Sequence, residues 1–100
     1  MTAQTTVDWP EVLGDLARCY GPLDPADPGQ RKRLAIGTPT LAERLGVSRG
    51  TIRRWMDEGA EPRHSDGEMI LARWVEATRR PRESAPTIRL QLSAAVLRAV

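Results

Sequence analysis

Three arginines gather in mid-chain, Arg49, Arg53 and Arg54, with Gly50 among them. On a helix turning about 100° per residue, these four positions share one side, while Ile52, Trp55 and Met56 share the other. A guanidinium is a planar fork of N–H donors, so such a row suits anionic or acceptor-rich partners: phosphate oxygens, or the paired acceptors of a base edge. Gly50 carries no side chain and lets the backbone approach that partner closely. Asp57 limits how far the basic face extends. The chain holds one cysteine, Cys19, and one histidine, His64. That excludes an intrachain disulfide and argues against a Cys/His zinc site. No carboxylate cluster accompanies an apolar cleft pattern. An enzyme, a metal, a cofactor and a small-molecule ligand are therefore not expected.

The formal net charge of +2 hides a segregation. Residues 1–30 carry −4 and residues 57–78 carry −4. Residues 31–56 hold seven bases against Glu43 alone, +6, and residues 79–100 carry +4. All but Lys32 of the 15 basic residues are arginine. A GC-rich genome can raise an arginine count, but it does not segregate the charge. No apolar run approaches the roughly 18 residues of a membrane span. The first residues, 1–7, have neither the charge nor the apolar stretch of a signal peptide. The expectation is a reduced, cytoplasmic protein, nucleoid-associated when bound to its partner. A chain of 100 residues predicts one domain with room for a short arm.

The basic row needs elements to hold it. Asp8 and Glu11 pattern as a capping box, and apolar residues from Trp9 to Tyr20 recur at helical spacing. Residues 21–37 read as a Pro- and Gly-rich connection, with a helical turn or two over Gln30–Ile36. Thr38 is placed to cap a short helix through Leu45, with Pro39 in its first turn. Gly46 supplies a turn, and Ser48 caps the arginine-bearing helix, Arg49 to about Asp57. Gly59 and Pro62 close it. Ser65 and Glu68 pattern as a second capping box for a helix lined by Ile70, Leu71 and Trp74, ending near Arg80-Pro81. Trp55 and Trp74 read as core anchors, and His64 as an exposed loop residue. Residues 81–86 have linker composition. Thr87–Leu92 alternates as a half-buried strand, and Ser93 is placed to cap a last short helix.

A helix, a Gly-centred turn and a second helix with a polar outer face form a helix-turn-helix arrangement. Ala42 is small where the helices meet, and Leu41, Leu45, Val47, Ile52 and Trp55 lock the pair. Thr38 to Asp57 resembles the helix-turn-helix of the Cro/CI-type phage-repressor (XRE-like) family. The resemblance implies a mainly α fold, a domain of four to five helices over residues 1–80; the chain's own patterning adds a linker over 81–86 and a strand–helix arm over 87–100. Two departures stand out, the long Pro-rich connection before the motif and the strand-like arm. Residues 46–55 also resemble the opening of a MerR- or excisionase-like winged helix, but the chain then enters a helix instead of a wing.

The resemblance implies a sequence-specific, double-stranded DNA-binding regulator, a dimeric (auto)repressor of phage, plasmid or bacterial origin. Its second helix would enter the major groove of a palindromic operator. Arg49, Gly50, Arg53 and Arg54 are then the expected base contacts. Thr38, Ser48, Thr51, Arg44, Arg31, Lys32 and Arg33 are the expected phosphate contacts. Two copies of the arm are expected to pair through Ile88, Leu90, Leu92, Val96 and Leu97 as a homodimer. The competing readings are a packaging or recombination accessory, such as a small terminase subunit or an excisionase, and a protein-interaction module.

Overall fold

Asp8 starts the first helix by accepting a hydrogen bond from the Glu11 backbone N–H, at 3.2 Å. Pro10 falls in that first turn, where a missing N–H is no loss. The computed structural model describes residues 4–90, in the order β1 (Gln4–Val7), α1 (Trp9–Cys19), α2 (Thr38–Leu45), α3 (Arg49–Asp57), α4 (His64–Thr78), a 3-10 turn (Arg82–Ser84) and β2 (Thr87–Leu90). The described chain is thus mainly helical, with one two-stranded sheet. The short helix expected after Ser93 lies outside the described residues.

One core joins the four helices. Val12, Leu13 and Leu16 of α1 are fully buried, as are Ile52 of α3 and Ile70 and Trp74 of α4; Leu41 of α2 is 1% exposed. Trp55 is buried beside them at 5% exposure. Both tryptophans are therefore core anchors. Trp74 also donates its indole N–H to Asp15 Oδ2 of α1 at 3.0 Å, which fixes α4 against α1. Gly67 lets the chain's third tryptophan in: a Cβ there would lie 3.0 Å from the Trp9 ring.

Several local expectations are corrected. Residues 30–36 are not helical. They return antiparallel to residues 22–24, with a bridge between Leu23 and Arg33 and bonds from Asp24 N to Lys32 O and Leu34 N to Pro22 O. Asp27 organises the turn by accepting the backbone N–H groups of Gly29, Arg31 and Lys32. Those bonds, led by that from Lys32, hold its carboxyl below the ordinary range. Thr38 does not cap α2. Gly37 takes that position, Thr38 is the first helical residue, and no side chain caps the end. The Ser65–Glu68 box does not form either. α4 begins at His64 after Arg63, without a side-chain cap, so His64 is exposed but helical.

Glu68 is engaged elsewhere. Arg82 donates to both of its carboxylate oxygens, each at 2.5 Å. This bidentate pair and the burial of Ala85 fasten residues 81–86 to α4, so the segment is packed and not a free linker. β2 then pairs antiparallel with β1, Val7 opposite Thr87 and Gln4 opposite Leu90. Of the strand expected over Thr87–Leu92, Thr87–Leu90 folds back on its own chain, against an N-terminal strand that sequence patterning did not single out, and residues 91–92 lie outside the described residues.

The Arg82 hydrogen bond holds the Glu68 carboxyl below its ordinary 4.5. A carboxyl depressed on folding contributes stability that is fully present above 4.5 and is lost as pH falls through the lower folded value. The pair is exposed, so the effect is small. The melting temperature of Glu68→Gln should lie below that of the parent at neutral pH and meet it in acid. An equal gap at every pH would contradict the pairing.

Candidate nucleic-acid interface

α2 ends because Gly46 turns left-handed, φ 72°, a conformation that costs a side-chain-bearing residue about 1–2 kcal/mol. Val47 N–H returns to Ala42 O at 3.0 Å and closes the turn. Ser48 is extended and starts α3 by accepting the Thr51 N–H at 3.1 Å. The residue types at 46–48 therefore set the angle at which α3 leaves α2. Ile52 and Trp55 bury one side of α3, and Leu41, Ala42 and Leu45 do so for α2.

The opposite side of α3 is open. Arg49, Gly50, Arg53 and Arg54 are all exposed. A Cβ at Gly50 would meet nothing nearer than Ser48 Oγ at 4.0 Å. Among the described residues, Arg49 and Arg53 make neither an ion pair nor a side-chain hydrogen bond. The arginines that are ion-paired, Arg18 and Arg82, lie elsewhere. The core has oriented α3 so that its basic row faces outward, with none of its arginines in an ion pair among the described residues.

The expected phosphate contacts fall into distinct places. Ser48 and Thr51 sit on the first turn of α3, and their hydroxyls are bonded to each other at 2.8 Å. Arg54 reaches back to Thr51 Oγ1 at 3.4 Å. Thr38 stands at the N-terminal turn of α2, half-buried. Arg44, in the last turn of α2, lies over the Tyr20 ring at 5.0 Å, a cation–π contact. Burial raises the Tyr20 phenol above its usual 10.0 despite the Arg73 and Arg44 charges nearby.

Arg31, Lys32 and Arg33 do not join α3. They line an open basic cleft of about 420 Å³ with Arg18 and Cys19, at the end of α1. Arg33 is partly committed there, donating to Gly21 O at 2.9 Å. Arg18 was missed by sequence reasoning, and its pairing with Asp15 and Glu11 tempers the charge it adds.

A second overlooked group borders Arg54. A cleft of about 370 Å³ between α3 and the start of α4 is lined by Thr51, Arg54, Glu61, Arg63 and Asp66. Its two carboxylates balance its two arginines, so the cleft carries no formal net charge. Of the residues expected at a dimer interface, Ile88 is 46% exposed and Leu90 belongs to β2. Leu92, Val96 and Leu97 lie outside the described residues.

The described residues contain no group of His, Cys, Asp and Glu that would hold a metal ion, and no helix long and apolar enough to cross a membrane. No family model, curated protein or solved structure matches the chain.

Proposed function

We propose that this protein binds double-stranded DNA sequence-specifically and regulates transcription, as a dimeric repressor of the Cro/CI type. The observation that carries the reading is the single exposed face of α3, with three arginines and Gly50 on one side and a buried core on the other. A helix fits the major groove, and guanidinium forks match guanine O6 and N7. Ser48 and Thr38 lie at the N-terminal turns of α3 and α2, where backbone N–H groups favour phosphate. The basic cleft of Arg31, Lys32 and Arg33 supplies further backbone charge. A winged reading lacks its element among the described residues, because the chain after α3 enters α4 and not a hairpin.

One such face reads only a few base pairs, so two copies on an inverted repeat are expected. β2 has one edge occupied by β1 and, among the described residues, no strand on its other edge, and that edge is where a second copy would add. Selection from random duplex DNA, read alongside the oligomer mass, tests the proposal. The expected result is an inverted repeat with half-sites about 10 base pairs apart. The affinity should fall steeply with salt. No enriched sequence, or no binding, overturns it. A ring-sized oligomer would favour a packaging accessory.

A further inference from the structure

The first turn of α3 contains a hydrogen-bond chain whose donors and acceptors can be counted. Arg54 Nη2 donates to Thr51 Oγ1 at 3.4 Å, so the threonine oxygen receives a proton donor there. Thr51 has one hydroxyl hydrogen, and its close neighbour is Ser48 Oγ at 2.8 Å. Ser48 Oγ also accepts the Thr51 backbone N–H at 3.1 Å. A hydroxyl oxygen offers two acceptor sites and one donor. Either hydroxyl can donate across the 2.8 Å contact; in the order in which Thr51 donates, Ser48 has both acceptor sites filled and its own O–H unspent. Ser48 is exposed, so that remaining hydrogen is available to an outside acceptor.

We propose that Ser48, Thr51 and Arg54 form one relay, in which Thr51 is a positioning residue that ties a phosphate contact at Ser48 to base reading by Arg54. The inference rests on the DNA-binding reading above, and it reassigns Thr51 from phosphate contact to support. An anion accepting the Ser48 hydrogen selects the order in which Thr51 donates, which leaves both acceptor sites of Thr51 Oγ1 to Arg54. The bond limits the rotamers of a long side chain that is otherwise exposed, so less freedom is lost when Arg54 meets its base. The cleft that Thr51 and Arg54 line also carries Arg63 with Glu61 and Asp66. The two carboxylates offset the charge of the two arginines there, so the cleft offers less net attraction to a phosphate than the Arg49–Arg53 end of the face. Backbone anchoring and base selection are thereby divided between the two ends of the relay.

The test uses the full chain and the duplex it selects, with single-base variants of that duplex. Arg54→Ala first identifies the base pair that Arg54 reads. Thr51→Val keeps the shape and removes the hydroxyl. It should lower discrimination at that same base pair by about tenfold, within the share of one bidentate contact. Affinity should fall more on the matched duplex than on mismatched ones, and the salt slope should change by less than about one unit. Thr51→Ser should restore discrimination, and Thr51→Ala should repeat the loss if the valine variant melts early. A parent that selects DNA while Thr51→Val and Thr51→Ala keep full discrimination overturns the relay and leaves the DNA-binding reading standing. A parent that selects no duplex overturns both.

Discussion

Arg49→Ala and Arg54→Ala are each expected to weaken binding to the selected duplex by about 1–3 kcal/mol and to relax base preference at a separate position. The two guanidiniums stand on the same exposed face of α3, but their surroundings differ. Arg49 is free of side-chain partners among the described residues, whereas Arg54 already leans on Thr51. Truncating Arg49 therefore removes a contact formed only on DNA. Truncating Arg54 also empties one wall of the cleft that holds Glu61 and Asp66. Arg53, between them, serves as the control. If it holds a phosphate, Arg53→Ala weakens binding alike on all sequences and flattens the salt slope by about one unit. Titration of each variant against matched and mismatched duplexes separates these outcomes. Unchanged affinity for Arg49→Ala and Arg54→Ala together would remove α3 from the groove.

Trp74→Ala is expected to cost about 3–5 kcal/mol, the usual loss for a large aromatic core side chain. Small domains hold only about 5–15 kcal/mol in all, so this variant should be largely unfolded on warming. The size of the effect follows from position. Trp74 is fully buried, and its indole N–H is the bond that joins α4 to Asp15 of α1. Arg80 also lies over the ring at 5.1 Å. Trp74→Phe keeps most of the volume and loses the donor, leaving Asp15 with Arg18 as its side-chain partner. It should cost about 1–3 kcal/mol. Thermal melting measures both losses, and a melting temperature for the alanine variant within a few degrees of the parent would contradict the assigned role. The phenylalanine variant should bind the selected duplex normally well below its melting point, because α3's outer face is untouched.

What was legible in the sequence was local. Asp8 and Ser48 cap as their side chains and spacing require, and α3 spans Arg49–Asp57 as expected. Its apolar positions, three or four apart, place the arginines outward without further information. What was not legible depended on distant partners. Glu68 carries the pattern of a capping box, yet a bidentate guanidinium from Arg82 is the stronger claim on its carboxylate. Thr38 yields the cap to Gly37, because extending α2 by one residue puts the threonine inside the helix. The basic triplet at 31–33 is held extended by Asp27 and by its pairing with residues 22–24, which local helix propensity does not report. β1 is four residues long and lacks alternation, so only β2 reveals it.

The pairing of Gln4–Val7 with Thr87–Leu90 also makes the described chain a nearly closed circuit. An isolated two-stranded ribbon is marginal in water. This one exists because the helical body brings its two ends together, and the loop-closure entropy it would otherwise bear grows only slowly with the length enclosed. Asp8 N–H donates to Pro86 O at 2.8 Å, carrying the ladder to the start of α1. Any disturbance that swings α1 away from α4 must therefore unzip the ribbon, and any pull on the ribbon is felt at the first turn of α1. The strands act as a latch on the helices, tying the two ends of the described chain to the core that aims α3.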